Sequence, residues 1–277
     1  MSTPLDQMDF YAARAALDWQ IELGADEAIC DDPINRYEAP AEAPQALPDG
    51  APAPHQDAAP DRPAIPDIPQ TQQIDAAAEA AGLAKSAQDI KALHSAMAAF
   101  EHCDLKRGAR NLVFADGLIG ADVMIITDAP GREDDLKGKP AQGPSGALLD
   151  KMFGAINRAR SNDAPEAAIY ITPVIPWRPP NDREPSDEEL AILAPFLARH
   201  IALAKPKAIV LMGNAACQAM LGKRGITRLR GTWSAVDGIP AIAMQSPAHL
   251  LRNPAAKREA WADLQALQAR LAGQGTS

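Results

Sequence analysis

Val123-Met124-Ile125-Ile126-Thr127-Asp128-Ala129-Pro130-Gly131-Arg132 sets the architecture: four apolar residues stop at a polar loop rich in turn residues. A short unbroken apolar run bounded in this way reads as a strand buried on both faces. Similar runs recur at 169–172, 208–212 and 241–244, and helical patterns lie near 145–157, 186–204, 214–221 and 254–271. Strands alternating with helices imply a parallel sheet, because each crossover lays a helix on one face of it. The expected fold is therefore α/β, a three-layer αβα sandwich around a central four-stranded parallel sheet. Such sheets bind ligands at the carboxyl ends of their strands, so function is sought in the loops that follow the runs.

Upstream, a helix is expected over about residues 74–100, with Leu83, Ile90, Leu93, Met97 and Phe100 on its buried face. Residues 33–69 carry ten of the chain's 25 prolines among Ala, Asp and Glu, too little apolar content to offset the entropy of ordering. Three segments follow: an N-terminal helical segment 1–32, an acidic linker 33–72 expected to be disordered, and a folded domain 73–277. The first carries two nearly opposite apolar stripes, one with Tyr11 and Trp19 and one with Phe10 and Leu17, so it either packs on its own domain or docks a protein partner.

Charge is divided unevenly. Residues 1–82 hold 16 acidic and three basic residues, so the net charge of −9 splits into −13 for this arm and +4 for the remainder. A mildly basic domain behind an acidic arm is compatible with nucleic acid as a partner. Three cysteines without a close pair suit a reducing cytoplasm and supply no metal-ligand run. No basic region leads into an apolar segment, and no apolar run approaches the roughly 18 residues of a membrane span. A cytoplasmic monomer is expected, nucleoid-associated when bound to DNA.

Each strand-end loop has two readings. The first continues through Gly138-Lys139-Pro140-Ala141-Gln142-Gly143-Pro144-Ser145-Gly146 into a helix: either an anion or base contact at the helix start, or a turn with Ser145 as a cap. The second ends in Pro173-Val174-Ile175-Pro176-Trp177-Arg178-Pro179-Pro180, where Trp177 reads as core cover rather than a stacking ring. After the third, Lys223, Arg224, Arg228 and Arg230 are either phosphate contacts or solvated surface. The fourth gives Ser246-Pro247-Ala248-His249-Leu250-Leu251-Arg252-Asn253-Pro254. Its leucines are either an apolar wedge for a base stack or core, and His249 is either catalytic or a hydrogen-bonded structural histidine.

Taken in order, Asp128-Ala129-Pro130-Gly131-Arg132, Gly143-Pro144-Ser145-Gly146-Ala147-Leu148-Leu149-Asp150, Tyr170-Ile171-Thr172, Arg178-Pro179-Pro180, Ile226-Thr227-Arg228-Leu229-Arg230-Gly231 and the 247–258 stretch resemble the bacterial uracil-DNA glycosylases of the iron–sulfur type, family 4 of their superfamily. The resemblance implies flipping of a base from DNA and hydrolysis of its glycosidic bond in base-excision repair. By the same resemblance Asp128 and Ser246 are the catalytic positions, and Ala129, Pro130, Gly131, Ala141 and Pro173 line the base pocket. Arg132, Gly143, Ser145, Arg228, Arg230, His249, Leu250, Leu251 and Arg252 would face DNA. Four positions depart from the family pattern: Asp128 stands for Glu, Ala141 for an aromatic, Pro173 for Asn and Ser246 for His. The implied alternative is a non-catalytic DNA-binding repair-accessory module. Family cluster ligands align with Phe100, Cys103, Trp177 and Leu193, leaving Cys103 as the one thiol; no metal or other cofactor is expected.

Overall fold

A computed structural model describes residues 75–274; the expected N-terminal helix in 1–32 and the expected linker 33–72 lie outside the described residues. The expected helix over 74–100 is two helices, α1 (Ala76–Ser86) and α2 (Ile90–Ala99). The break has identifiable causes. Asp89 caps the second helix by accepting from the Ala92 amide at 2.7 Å, and the Arg199 guanidinium donates to the Ala87 carbonyl at 2.7 and 2.9 Å, holding the chain out of helical geometry. Leu93, Met97 and Phe100 are buried as the pattern requires, with Leu83 and Ile90 packed at the margin.

After the one-turn helix α3 (Leu105–Gly108) come β1 (Asp116–Gly117), β2 (Val123–Thr127), α4 (Arg132–Lys137), α5 (Gly143–Gly154) and β3 (Ile169–Pro173). The chain continues with α6 (Asp187–Ala204), β4 (Ala208–Met212), α7 (Asn214–Leu221), α8 (Ile226–Leu229), β5 (Trp233–Val236), β6 (Ile239–Met244), α9 (Pro247–Arg252) and α10 (Lys257–Gln274). The sheet has six strands in the order β1-β3-β2-β4-β6-β5. Its four central strands are parallel, as the apolar runs require, and short antiparallel strands close both edges. The edge strands were not anticipated. Asp116-Gly117 has too few residues for a period, and Trp233–Val236 is exposed at its centre, so neither carries a buried run.

Alternate side chains of β2 serve opposite layers. Met124 and Ile126 join the core under α1, α2 and α6, whereas Val123 and Ile125 join the core under α5 and α10. Register then fixes the site, because Thr127 lies level with Pro173 on one side and Met212 on the other, and Met212 lies level with Met244. The chain leaves β2 to one neighbour and returns past it to the other, so β2 and β4 flank the point where strand order reverses.

Candidate functional site

Asp128, the first residue after β2, turns its carboxylate toward the start of α7. Its Oδ1 accepts from the backbone N–H of Ala215 at 2.9 Å and of Ala216 at 3.3 Å, two donors that a helix start leaves unpaired. This approach needs Gly213, because a Cβ there would lie 1.8 Å from Asp128 Oδ2, and the backbone φ of +107° suits glycine alone. Burial pushes the carboxyl up to about 6, against the opposing pull of the two amides. The result is an oriented carboxylate that changes charge near neutral pH.

Facing it is the turn that carries Ala141. Ala141 sits at a φ of +52°, a conformation that a residue with a Cβ adopts only under external constraint. Three groups supply that constraint. Arg160 donates to the carbonyls of Pro140 at 3.4 Å and Ala141 at 3.2 Å while ion-paired to Asp116 and Asp150. Asp134 accepts from the Gln142 and Gly131 amides at 2.6 and 3.1 Å, linking this turn to the loop after β2. Gly146 lets the Ala141 carbonyl approach so closely that a Cβ would lie 1.9 Å from it.

The third wall is the start of α9. Ser246 caps that helix, its Oγ accepting from the His249 amide at 3.4 Å, which leaves the hydroxyl proton free to donate outward. Together these walls enclose a cavity of about 360 Å³ in which Asp128, Ala129, Gly131, Arg132, Ala141, Ser145, Ser246 and Arg252 all take part. Pro130 and Pro173 are buried beside it without lining it. Gly143 lines an adjoining recess with Asp116, Lys139 and Arg160.

Sequence reading missed Glu133, Asp134 and Gln142, which also line the cavity, and Arg160, which holds its wall. The spacing from Gly131 to Asp134 was a readable signal, since an acidic residue three after a helix start turns back on its amide. Arg160 left no local trace, because its partners are 10 to 44 residues away.

Around the mouth, cations of similar appearance differ in what they meet. Among the described residues no carboxylate pairs with Arg132, Arg228, Arg252, Lys257 or Arg258, whereas Arg224 pairs with Asp187 and Glu184. Arg230 is turned inward onto Asp263 at 2.5 and 3.1 Å. The leucines separate likewise: Leu250 is 1% exposed and Leu251 43%. His249 is half-buried in α9 and does not line the cavity.

The four positions aligned with cluster ligands are all buried in one apolar cluster, where Phe100 packs edge to face on Phe196 at 5.4 Å. Trp177 is core there. Of the four positions only Cys103 carries a thiol, pushed up by burial away from the thiolate a metal needs. One sulfur among Phe, Trp and Leu does not fit a four-thiolate iron–sulfur group.

The family model described as uracil DNA glycosylase superfamily matches residues 114–265. The chain is 33% identical over 166 residues to the Type-4 uracil-DNA glycosylase of Archaeoglobus fulgidus, spanning 57% of this chain and 80% of that protein. It is 29% identical over 185 residues to the protein of the same name from Pyrobaculum aerophilum, covering 64% and 91%. A third of that name, from Thermotoga maritima, is 32% identical over 156 residues, covering 54% and 77%.

Proposed function

Because the chain belongs to the uracil-DNA glycosylase superfamily, we propose that it hydrolyses the N-glycosidic bond of uracil or another damaged base flipped out of DNA. The observation that carries this reading is that Asp128 and Ser246, which follow β2 and β6, line one cavity together with Arg132 and Arg252. In the reaction, water oxygen bonds to C1′ as the C1′–N bond breaks; the base leaves with the bonding pair, and the proton that the water gives up ends on the base. Asp128 is suited to orient that water, since its Oδ1 is held by two amides and Oδ2 faces no protein donor among the described residues. Ser246 donates a hydrogen bond from its hydroxyl to the departing base, where negative charge grows. Arg132 and Arg252 take the flanking phosphates, and the exposed Leu251 fills the space the base vacates. We also propose that the domain works without a metal cluster, for the donor-set reason given above.

A second reading, DNA binding without base release, has one specific support. The wall at Ala141 is a methyl group, and Pro173, level with Thr127 on the neighbouring strand, is buried outside the cavity lining and has no side-chain donor or acceptor, so neither supplies a hydrogen bond to a base edge. A cleavage assay on single strands and duplexes with one uracil, hypoxanthine or xanthine, followed by alkali to break abasic sites, separates the two. Breakage at a modified base that is lost in Asp128→Asn supports the enzyme. Salt-sensitive DNA binding with no breakage on any of the three supports the binding module.

A further inference from the structure

Residues 250–264 read Leu-Leu-Arg-Asn-Pro-Ala-Ala-Lys-Arg-Glu-Ala-Trp-Ala-Asp-Leu. Within α10 the buried stripe is Ala260, Leu264 and Leu267, and Trp261 stands one residue off it with 43% of its surface exposed. Its ring borders an apolar groove of about 110 Å³ whose walls include Leu148, Met152, Leu250 and Lys257. A large aromatic left open beside such a groove offers a flat face that the fold itself does not use.

Two cations precede that face on its own helix. Lys257 and Arg258 lie four and three residues before Trp261, so all three share a side of the helix. Neither cation meets a carboxylate among the described residues, and the acidic residues of the same turns, Glu259 and Asp263, are drawn away by Arg230. An exposed aromatic flanked by spare cations is the composition of surfaces that bind a nucleic-acid strand, with stacking on the ring and phosphates on the charges.

The groove also continues the site already described. On α9, Arg252 lines the cavity and Leu250 lines the groove, with exposed Leu251 between them; on α5, Leu149 lines the cavity while Leu148 and Met152 line the groove. A strand that delivers a nucleotide to the cavity and passes over Leu251 therefore meets Trp261 next.

We propose that Trp261 is a stacking platform for a base of the same strand beyond the extruded nucleotide, with Lys257 and Arg258 on the neighbouring phosphates, and that this platform favours unpaired over paired DNA. A paired base keeps its faces against its neighbours, whereas an unpaired one is free to leave them for the indole. The proposal rests on the DNA-glycosylase reading and deepens it by naming the form of the substrate.

The test is equilibrium binding of the full chain to a fluorescein-labelled single strand with one central uracil and to the matching duplex, over a range of salt. Trp261→Ala and Trp261→Leu should each weaken single-strand binding roughly 5- to 100-fold. Trp261→Phe should keep most of it, and the duplex should change far less. The Leu variant preserves apolar bulk, so its melting temperature should stay near that of the unaltered chain. Lys257→Ala with Arg258→Ala should lower the salt slope on the single strand by about 1.4. Unaltered single-strand affinity in the Leu and Ala variants, with DNA still bound by the parent chain, overturns the platform alone; so does an equal loss on duplex and single strand. Failure of the parent chain to bind either DNA overturns the platform and the glycosylase reading together.

Discussion

The loops 223–231 and 246–258 border the same sheet edge with similar residues, yet the fold uses them in different ways. In the first, Arg230 reaches inward to Asp263, which is 2% exposed, and Arg224 pairs at the surface, so two of its four cations are committed to the domain. In the second, Arg252, Lys257 and Arg258 meet no carboxylate among the described residues. A cation already paired gains little from a phosphate, because it must first give up its partner. On the proposed reading, unpaired charges rather than the density of basic residues along the chain point to where DNA would lie.

The largest effect that would sharpen this contrast is expected from Arg230→Ala. Removing it strands a buried carboxylate, so urea unfolding should show a loss of about 3–5 kcal/mol. The salt slope of DNA binding should stay unchanged. A reduced slope at unaltered stability would place Arg230 with the phosphate contacts and erase the difference between the loops.

Next is Asp128, in the cavity between them. Burial raises its carboxyl from 3.8 to about 6, so the folded protein holds this proton more tightly than the unfolded chain does. Stability from this group is therefore full below about pH 4, declines as pH rises to about 6, and stays low beyond. Asp128→Asn should flatten that decline in melting temperature. A decline that persists in the Asn variant would mean another group causes it.

Arg252→Ala should weaken DNA binding across sequences and lower the salt slope by about one, with little change in melting temperature. Salt titrations of both quantities on one preparation check this. The smallest effect is expected from Arg224→Ala, whose pairs with Asp187 and Glu184 are exposed; stability should move by less than about 1 kcal/mol. A larger loss would show that loop 223–231 depends on its surface pairs as well as on Arg230.

Much of the fold was legible because buried parallel strands leave unbroken apolar runs, and the observed β4 coincides with the run at 208–212. The helix boundaries with strong caps were also legible, such as Ser186 before α6, where Ser186 and Glu189 each serve the other's backbone amide. The break at Ala87 was not, since one of its causes is Arg199, 112 residues away. In the site, the resemblance, not the loop chemistry, singles out Asp128, Ser246, Arg132 and Arg252, and all four line one cavity. Pro173, a pocket residue by resemblance, is instead the buried last residue of β3, level with Thr127 and outside the cavity lining. Leu250 and Leu251 were read as a pair and are divided by a single helical step, 100° of rotation that sends one into the core and the other into solvent.

By itself, the order of residues determined the four central strands and most of the helices, and hence that four loops would gather at one edge of a parallel sheet; periodicity and capping are local and written in neighbouring residues. What the tertiary structure alone decided is which groups at that edge remain unused. Arg230 and Arg252, or Asp134 and Glu133, are chemically alike along the chain. Only the through-space partner, Asp263 for one and the Gln142 amide for another, consumes a charge or hydrogen-bonding group or leaves it free for a ligand.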